Sequence, residues 1–476
     1  MNDLFRLDAT AQAQLVASGQ VSSLELVDAA IARIQRLNPL INAVVHTQFD
    51  RARERARGRL PEGPFRGVPF LLKDLASGAE AGQPLSCGCR MLAQHVADHD
   101  TEMVRRFRAA GLVNLGRSTT PEFGIPPSTE AALYGPTLNP WDTGYSTGGS
   151  SGGAAAAVAA RLVPLAHATD AGGSIRIPAS ACGVFGLKPS RGRTPTGPRM
   201  GESFAGLVSE LCCSVSVRDS AALLDAVDGA EPGAPYATPP KAAPYVEALT
   251  QPPRRLRIAV MRAPYGGAPV HEDCLTALDD AVALCSELGH DLVEAAPQIS
   301  DLPRVAEAFS RLYQIKAAME VQALASLTGR PVGAGDIEAL THQCAQAGQQ
   351  WSATDYVHAQ RALQRAGHEV GRFFLDHDLL LTPTMAQPPV AIGRWNFIEG
   401  DAMASFAESS RCTAFTPLFN ATGQPAMSVP LYWNAQGMPI GVQFGARLGE
   451  EGLLFQLAAQ LEAARPWAQR LPAMAS

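Results

Sequence analysis

Thr147-Gly148-Gly149-Ser150-Ser151-Gly152-Gly153, followed by Asp170-Ala171-Gly172-Gly173-Ser174-Ile175-Arg176-Ile177-Pro178, decides how this chain is read. Each stretch sets a serine among glycines. Glycines leave a neighbouring hydroxyl sterically open and let successive backbone N–H groups converge on one point. Upstream, Gly67-Val68-Pro69-Phe70-Leu71-Leu72-Lys73-Asp74 ends an apolar, β-prone run in a lysine. A lysine acts as a base near neutral pH when it is desolvated. A serine nucleophile, a cluster of N–H groups and a lysine base suffice for acyl transfer without histidine.

Outward from these turns, residues 151–160 read as a helix and 163–169 as a buried strand feeding the Asp170–Ser174 turn. Residues 68–72 and 112–115 read as strands. The helix between them is capped by Asp100, carries Met103, Val104 and Phe107, and ends at Gly111. Ser22-Ser23-Leu24-Glu25 is a capping box with Ser22 as N-cap. Leu24, Val27, Ile31 and Ile34 follow at helical spacing, and Asn38-Pro39 is read as the stop. Further on, strands are expected near 257–261, 379–384, 427–431 and 440–444. Helices are expected near 274–288, 302–327, 354–375 and 451–463. The Pro-, Ala- and Gly-rich segment 229–253 reads as a surface crossing. Alternation of this kind argues an α/β fold, a large mixed sheet flanked on both faces by helices.

Hydrophobic residues make up 46% of the 476, enough for a sizeable core, and the formal net charge is −6. Without a basic block beyond Arg51-Ala52-Arg53-Glu54-Arg55-Ala56-Arg57, which reads as a solvated helix face, nucleic acid is not an expected partner. Met1-Asn2-Asp3-Leu4-Phe5-Arg6 lacks the apolar core of a signal peptide, and no run of about 18 apolar residues suggests a membrane span. The nine cysteines form no CxxC pair. That usage fits reduced thiols and a cytoplasmic location. Cys182 reads as a small buried hydrophobe.

Gly149-Ser150-Ser151-Gly152-Gly153 also fits GxSxG, the nucleophile elbow of α/β-hydrolases, centred on Ser151. An elbow needs a histidine partner, and no downstream histidine lies in a glycine-bounded, apolar setting. His95 and His99 with Asp98 and Asp100 faintly suggest a metal cluster, but no third ligand is marked.

The Ser/Ser/Lys combination is more specific. The chain resembles the amidase signature family of serine hydrolases in residues 67–74 and 100–121, in Asn139-Pro140-Trp141, and in residues 148–155 and 170–189, which include Gly183-Val184-Phe185-Gly186-Leu187-Lys188-Pro189. The likeness resumes in Phe419-Asn420-Ala421-Thr422-Gly423-Gln424-Pro425-Ala426 and Gly437-Met438-Pro439-Ile440-Gly441-Val442-Gln443. Within the family it is most similar to the 6-aminohexanoate-cyclic-dimer hydrolases and the carbamate-cleaving urethanases. The resemblance implies one amidase domain over residues 1–476. Its core lies at about 65–220, a pocket-shaping middle at about 230–400, and a return to the core at about 410–465.

The resemblance also assigns roles. Ser174 is the nucleophile, Ser150 (preceded in the family by a cis peptide) bridges nucleophile and base, and Lys73 is the general base. The N–H groups of Ala171, Gly172, Gly173 and Ser174 form the oxyanion hole. Ser151, Asp170 and Arg176 hold the turns by hydrogen bonding and ion pairing. Lys188 reads as structural, Asn420, Thr422, Gly423 and Pro425 as a loop near the site, and Tyr134, Tyr145 and Phe123 as aromatics at the acyl pocket. The expected activity is hydrolysis of an amide-type C–N bond, in a linear or cyclic amide or a carbamate, without metal or organic cofactor. The expected partner is that small molecule, and the family's monomers and homodimers are both open. Two alternatives stand beside this reading: a glutamine-dependent amidotransferase subunit, and an esterase using Ser151.

Overall fold

The computed structural model describes residues 4–475. The first three residues of the N-terminal stretch scanned for a signal peptide lie outside the described residues. Strands β1 (Val44–Val45), β2 (Pro69–Lys73) and β3 (Val113–Ser118) form a small sheet in the order β1-β3-β2, with β2 and β3 parallel. A short hairpin joins β4 (Glu130–Ala131) to β5 (Gly135–Pro136). The main sheet comprises β6 (Leu165–Asp170), β7 (Phe185–Lys188), β8 (Ser209–Ser214), β9 (Arg257–Val260), β10 (Asp291–Glu294), β11 (Leu379–Pro383), β12 (Ala426–Trp433) and β13 (Pro439–Ala446). Among the described residues its eight strands run β10-β9-β11-β13-β12-β7-β8-β6. The first three are parallel to one another and the remaining neighbours pair antiparallel, so the sheet is mixed.

Strands β6, β7, β8, β11 and β13 are buried along their whole length. Strands covered on both faces carry small or apolar residues throughout rather than alternating. The covering helices obey the same demand. Gly152–Ala159, sequence GGAAAAVA, is buried at every position and packs on β6 and β8. Its small side chains bring its backbone close to the sheet. Arg176–Cys182 and Glu451–Ala464 pack against β12 and β13, and Glu272–Glu287 against β11, β12 and β13. The 27-residue helix Leu302–Thr328 packs with Ala339–Gly348 and Ala353–Asp376 in a separate helical layer.

Several local expectations change. The helix begun by the Ser22 capping box runs Ser23–Ile41, straight through Pro39, and ends where Asn42 turns left-handed. Pro39 has no N–H for the Gln35 carbonyl four residues back, and the helix ends two residues after it. The helix Glu102–Ala109 is capped by Thr101, whose hydroxyl accepts the Val104 N–H, not by Asp100. The Asp100 carboxylate instead pairs with Arg108 at 2.7 Å and accepts the Ala81 N–H at 2.9 Å. Segment 229–253 is not wholly a surface crossing: a short helix, Tyr245–Ala248, buries Tyr245 beside Phe455. Helices Arg176–Cys182, Ala339–Gly348 and Ala402–Cys412 carry no mark in the sequence reading. No helix of the described residues is long and apolar enough to cross a membrane.

Candidate active site

The small sheet and the main sheet meet where β2 packs beside β6. That contact brings the C-terminal end of β2, Lys73, against Thr169 on β6. The Lys73 backbone N–H points at His167 Nδ1 at 3.4 Å, and His167 Nε2 lies 3.1 Å from Glu210. Lys73 is wholly buried, and its Nζ sits 2.8 Å from Ser150 Oγ, 2.8 Å from Ser151 Oγ and 2.9 Å from Thr169 Oγ1. Burial lowers its pKa to about 7, against the opposing pull of Asp170. Desolvation penalises the ammonium more than three neutral hydroxyls and a distant carboxylate restore.

A neutral lysine offers two N–H groups and one lone pair, so one of the three hydroxyls must donate to it. Ser151 directs its hydroxyl to the Thr169 carbonyl at 3.2 Å while accepting the Thr169 N–H at 3.2 Å. The Ser150 and Thr169 hydroxyls remain free to donate. The Gly149–Ser150 peptide is cis, and the Ser150 carbonyl accepts the Thr120 hydroxyl at 3.0 Å.

Ser174 lies on the second turn and is buried, with 9% of its surface exposed. Its carbonyl accepts the Ser151 N–H at 3.2 Å, which ties the two serine turns together. Asp170 shapes this turn. Its carboxylate accepts the Gly173 N–H at 2.7 Å, the Ile175 N–H at 3.1 Å and Asn420 Nδ2 at 2.8 Å. Arg176 holds the same carboxylate through Nε and Nη2, both at 2.9 Å. Burial alone would push the Asp170 carboxyl up, but Arg176 and these hydrogen bonds hold it at about 2. The rest of the Arg176 guanidinium is committed to the Thr416 carbonyl, Gln443 Oε1 and Asn420 Oδ1. Gly173 has φ +132°, and a Cβ there would meet Thr416 Oγ1 at 2.2 Å, so only glycine fits.

The four N–H groups expected in the oxyanion hole are not equivalent. Gly173 spends its N–H on Asp170 and leaves the set. Among the described residues, the N–H groups of Ala171, Gly172 and Ser174 have no protein acceptor. Ser151 is wholly buried and held by Lys73 and Thr169, with no histidine bonded to its hydroxyl. A solvent-facing elbow centred on Ser151 is therefore not what this turn builds. Of the aromatics expected at the pocket, Tyr134 bonds to Ser86 Oγ at 2.9 Å, Tyr145 bridges to Ala391, and Phe123 packs in one hydrophobic cluster with Tyr313. Asn420 lies beside Asp170, near the site as expected, but it and Thr422 stand on the short helix Pro417–Thr422 rather than on a loop, and Gly423 ends that helix in a left-handed turn. Thr169, Thr416 and Gln443 were missed. Thr169 could have been found as the residue before Asp170 on the strand feeding the turn; Gln443 closes one of the stretches that carry the family likeness, without a role attached to it, and Thr416 reaches the site from distant sequence without a local mark.

The chain is similar to known proteins over nearly its whole length. The family model described as Amidase matches residues 25–455. The 6-aminohexanoate-cyclic-dimer hydrolase of Paenarthrobacter ureafaciens is 41% identical over 475 residues, 98% of this chain and 96% of that protein. A solved structure of 6-aminohexanoate cyclic dimer hydrolase complexed with substrate superposes with a TM-score of 0.94 at 40% identity, covering 99% of this chain and all of that one. A bacterial aryl acylamidase of the amidase signature family superposes with a TM-score of 0.87 at 28% identity, over 97% of each chain. The mixed sheet, the helices that cover it and the match over nearly the whole length lead to one conclusion: the chain belongs to the amidase family.

Proposed function

We propose that this amidase cleaves amide C–N bonds through an acyl-enzyme on Ser174, with Ser150 and Lys73 as a proton relay. The observation that carries the reading is a buried lysine with a pKa of about 7, 2.8 Å from Ser150 Oγ, beside a serine turn with unpaired N–H groups.

Ser174 Oγ attacks the carbonyl carbon and passes its proton to Ser150, whose own proton moves to Lys73. The carbonyl π electrons move onto oxygen, where the N–H groups of Ala171, Gly172 and Ser174 stabilise the charge. One such donor is worth about 3 kcal/mol in a transition state. Lys73 then returns its proton through Ser150 to the leaving nitrogen, the C–N bond breaks and the amine departs. A water attacks the acyl-enzyme through the same relay, releasing the acid and restoring Ser174. Asp170 and Arg176 keep the turn in shape and exchange no proton: the carboxyl stays ionised down to about pH 2.

The relatives' substrate suggests cyclic and linear amides of 6-aminohexanoate as the first compounds to try, with carbamates after them. The 41% identity to a hydrolase favours hydrolysis over ammonia transfer. A panel of the cyclic dimer, a short aliphatic amide, a nitroanilide, an aryl carbamate and a p-nitrophenyl ester tests this on wild type, Ser174→Ala and Lys73→Ala. Amide turnover lost in both variants is expected. Ester turnover alone, surviving Lys73→Ala, overturns the reading.

A further inference from the structure

We propose that Lys316 selects amides whose leaving amine carries a carboxylate, by pairing with that carboxylate at the amine side of the cleft. The assignment deepens the amidase reading and rests on it, because it requires Ser150 to protonate the departing nitrogen.

The long helix Leu302–Thr328 lies across both serine turns. A Cβ placed on Gly172 would be 2.7 Å from the Tyr313 hydroxyl and 3.3 Å from Phe309 Cζ, so these aromatics abut the Ser174 turn. Further along the helix, Lys316 Nζ donates to the Phe123 carbonyl at 3.1 Å. The next residue, Gly124, abuts the other turn: a Cβ there would be 3.1 Å from Ser150 Oγ. Positions 309, 313 and 316 share one helix face. That face therefore puts aromatic surface beside the N–H cluster and an ammonium on the segment whose Gly124 abuts Ser150. Since Ser150 faces the leaving nitrogen, whatever Lys316 meets belongs to the amine half of the substrate.

An ammonium has three N–H donors. Lys316 uses one on Phe123 and one on Glu320 Oε1 at 3.1 Å. The Glu320 side chain is 37% exposed and that of Lys316 20%. Ion pairs this open and this close on a helix contribute little, so a substrate carboxylate displaces Glu320 at small cost. The Phe204 ring lies 5.8 Å from Lys316 Nζ and packs edge-on against Tyr313 at 4.7 Å. A simple helix-surface ion pair would explain Glu320, but not a lysine tied to the loop that touches Ser150.

The test uses the full chain and follows amine release from three amides. N-pentylbutanamide is neutral, N-butanoyl-5-aminopentanoate carries its carboxylate on the amine, and N-pentylsuccinamate carries it on the acyl group. Wild type is expected to favour the amine-side carboxylate over the neutral amide by about tenfold in kcat/KM, the scale of one charge-assisted hydrogen bond. In Lys316→Met that ratio is expected to fall to about one, and in Lys316→Arg to recover in part. A ratio unchanged by Lys316→Met, or a preference for the acyl-side carboxylate, overturns the assignment while leaving the amidase reading intact. If wild type cleaves none of the three, nor the panel above, the amidase reading falls and the assignment falls with it.

Discussion

Lys73 and Lys188 are both wholly buried, and burial lowers both to a pKa of about 7. Their surroundings differ. Lys73 meets three hydroxyls, two of them, Ser150 and Ser151, on the turn tied to Ser174. Lys188 donates to the Pro189 carbonyl at 2.7 Å and lies 3.5 Å from Ser209 Oγ. A carbonyl accepts protons in a hydrogen bond but cannot relay one. A perturbed pKa therefore marks both lysines equally, and only the groups around them separate a base from a structural cation.

The harshest test of that contrast removes its target. Ser174→Ala deletes the hydroxyl that Lys73 serves in the proposed relay and leaves the turn's Asp170 and Arg176 anchors untouched. Loss of about 10⁴–10⁶ in kcat is expected, as for other serine nucleophiles, with the melting temperature close to wild type. Calorimetry beside steady-state assay checks both halves. Lys73→Met follows, with an expected loss of about 10³–10⁵ because nucleophile and base act as one unit. The double variant should be little worse than either alone; additive losses would mean that the two residues act separately.

The site was more legible in the sequence than the ground around it. Glycines, serines and a lysine at a strand end carry their geometry with them, because glycine permits few-neighbour turns that other residues cannot. Ser150, Ser174 and Lys73 could thus be singled out before any contact was known. The contacts of Thr416 and Gln443 with Arg176 could not, since both approach it from the far end of the chain. The same holds for Phe309, Tyr313 and Lys316. Their spacing says only that a helix is amphipathic, and which face looks into a cleft is decided by packing. Smaller misses were local. Asp100 and Thr101 are both good caps and adjacent, and tertiary pairing with Arg108 drew the first away. Gly173 looks like its neighbours in the sequence, and the Asp170 carboxylate that claims its N–H is visible only in three dimensions.

Ser151→Ala comes next in size. It removes an acceptor from Lys73 and leaves the Thr169 N–H without a partner. A loss of about 10–100-fold in kcat is expected, from misplacement of Lys73 rather than loss of chemistry. Complete inactivation with Ser174→Ala still active would transfer the nucleophile's role to Ser151. Smaller again is the pH response. Protonated Lys73 cannot accept a proton, so kcat/KM should fall with unit slope as pH drops below about 7 and level off above it. Thr169→Val deletes a hydroxyl that solvates the ammonium. The charged form is then disfavoured further, and the acid limb should move to lower pH. A limb that stays in place would assign it to another group.

Lys188→Met is expected to have the smallest effect, and it bears most directly on the comparison. Methionine keeps the length of the side chain and removes the charge. The Pro189 carbonyl loses a donor, which costs about 1–3 kcal/mol when nothing replaces it. Against this, a buried, desolvated amine is gone, and apolar replacements of buried charge are often neutral or stabilising. The two effects oppose each other, so stability should change by about 1 kcal/mol in either direction. Activity should fall less than about tenfold, through the influence of Lys188 on Asp170 alone. The acid limb of kcat/KM should stay near pH 7, because the group that sets it is Lys73. If Lys188→Met instead cost as much as Lys73→Met, or carried the acid limb away with it, hydroxyl partners would not be what distinguishes the two lysines, and the relay would have to be redrawn through Lys188.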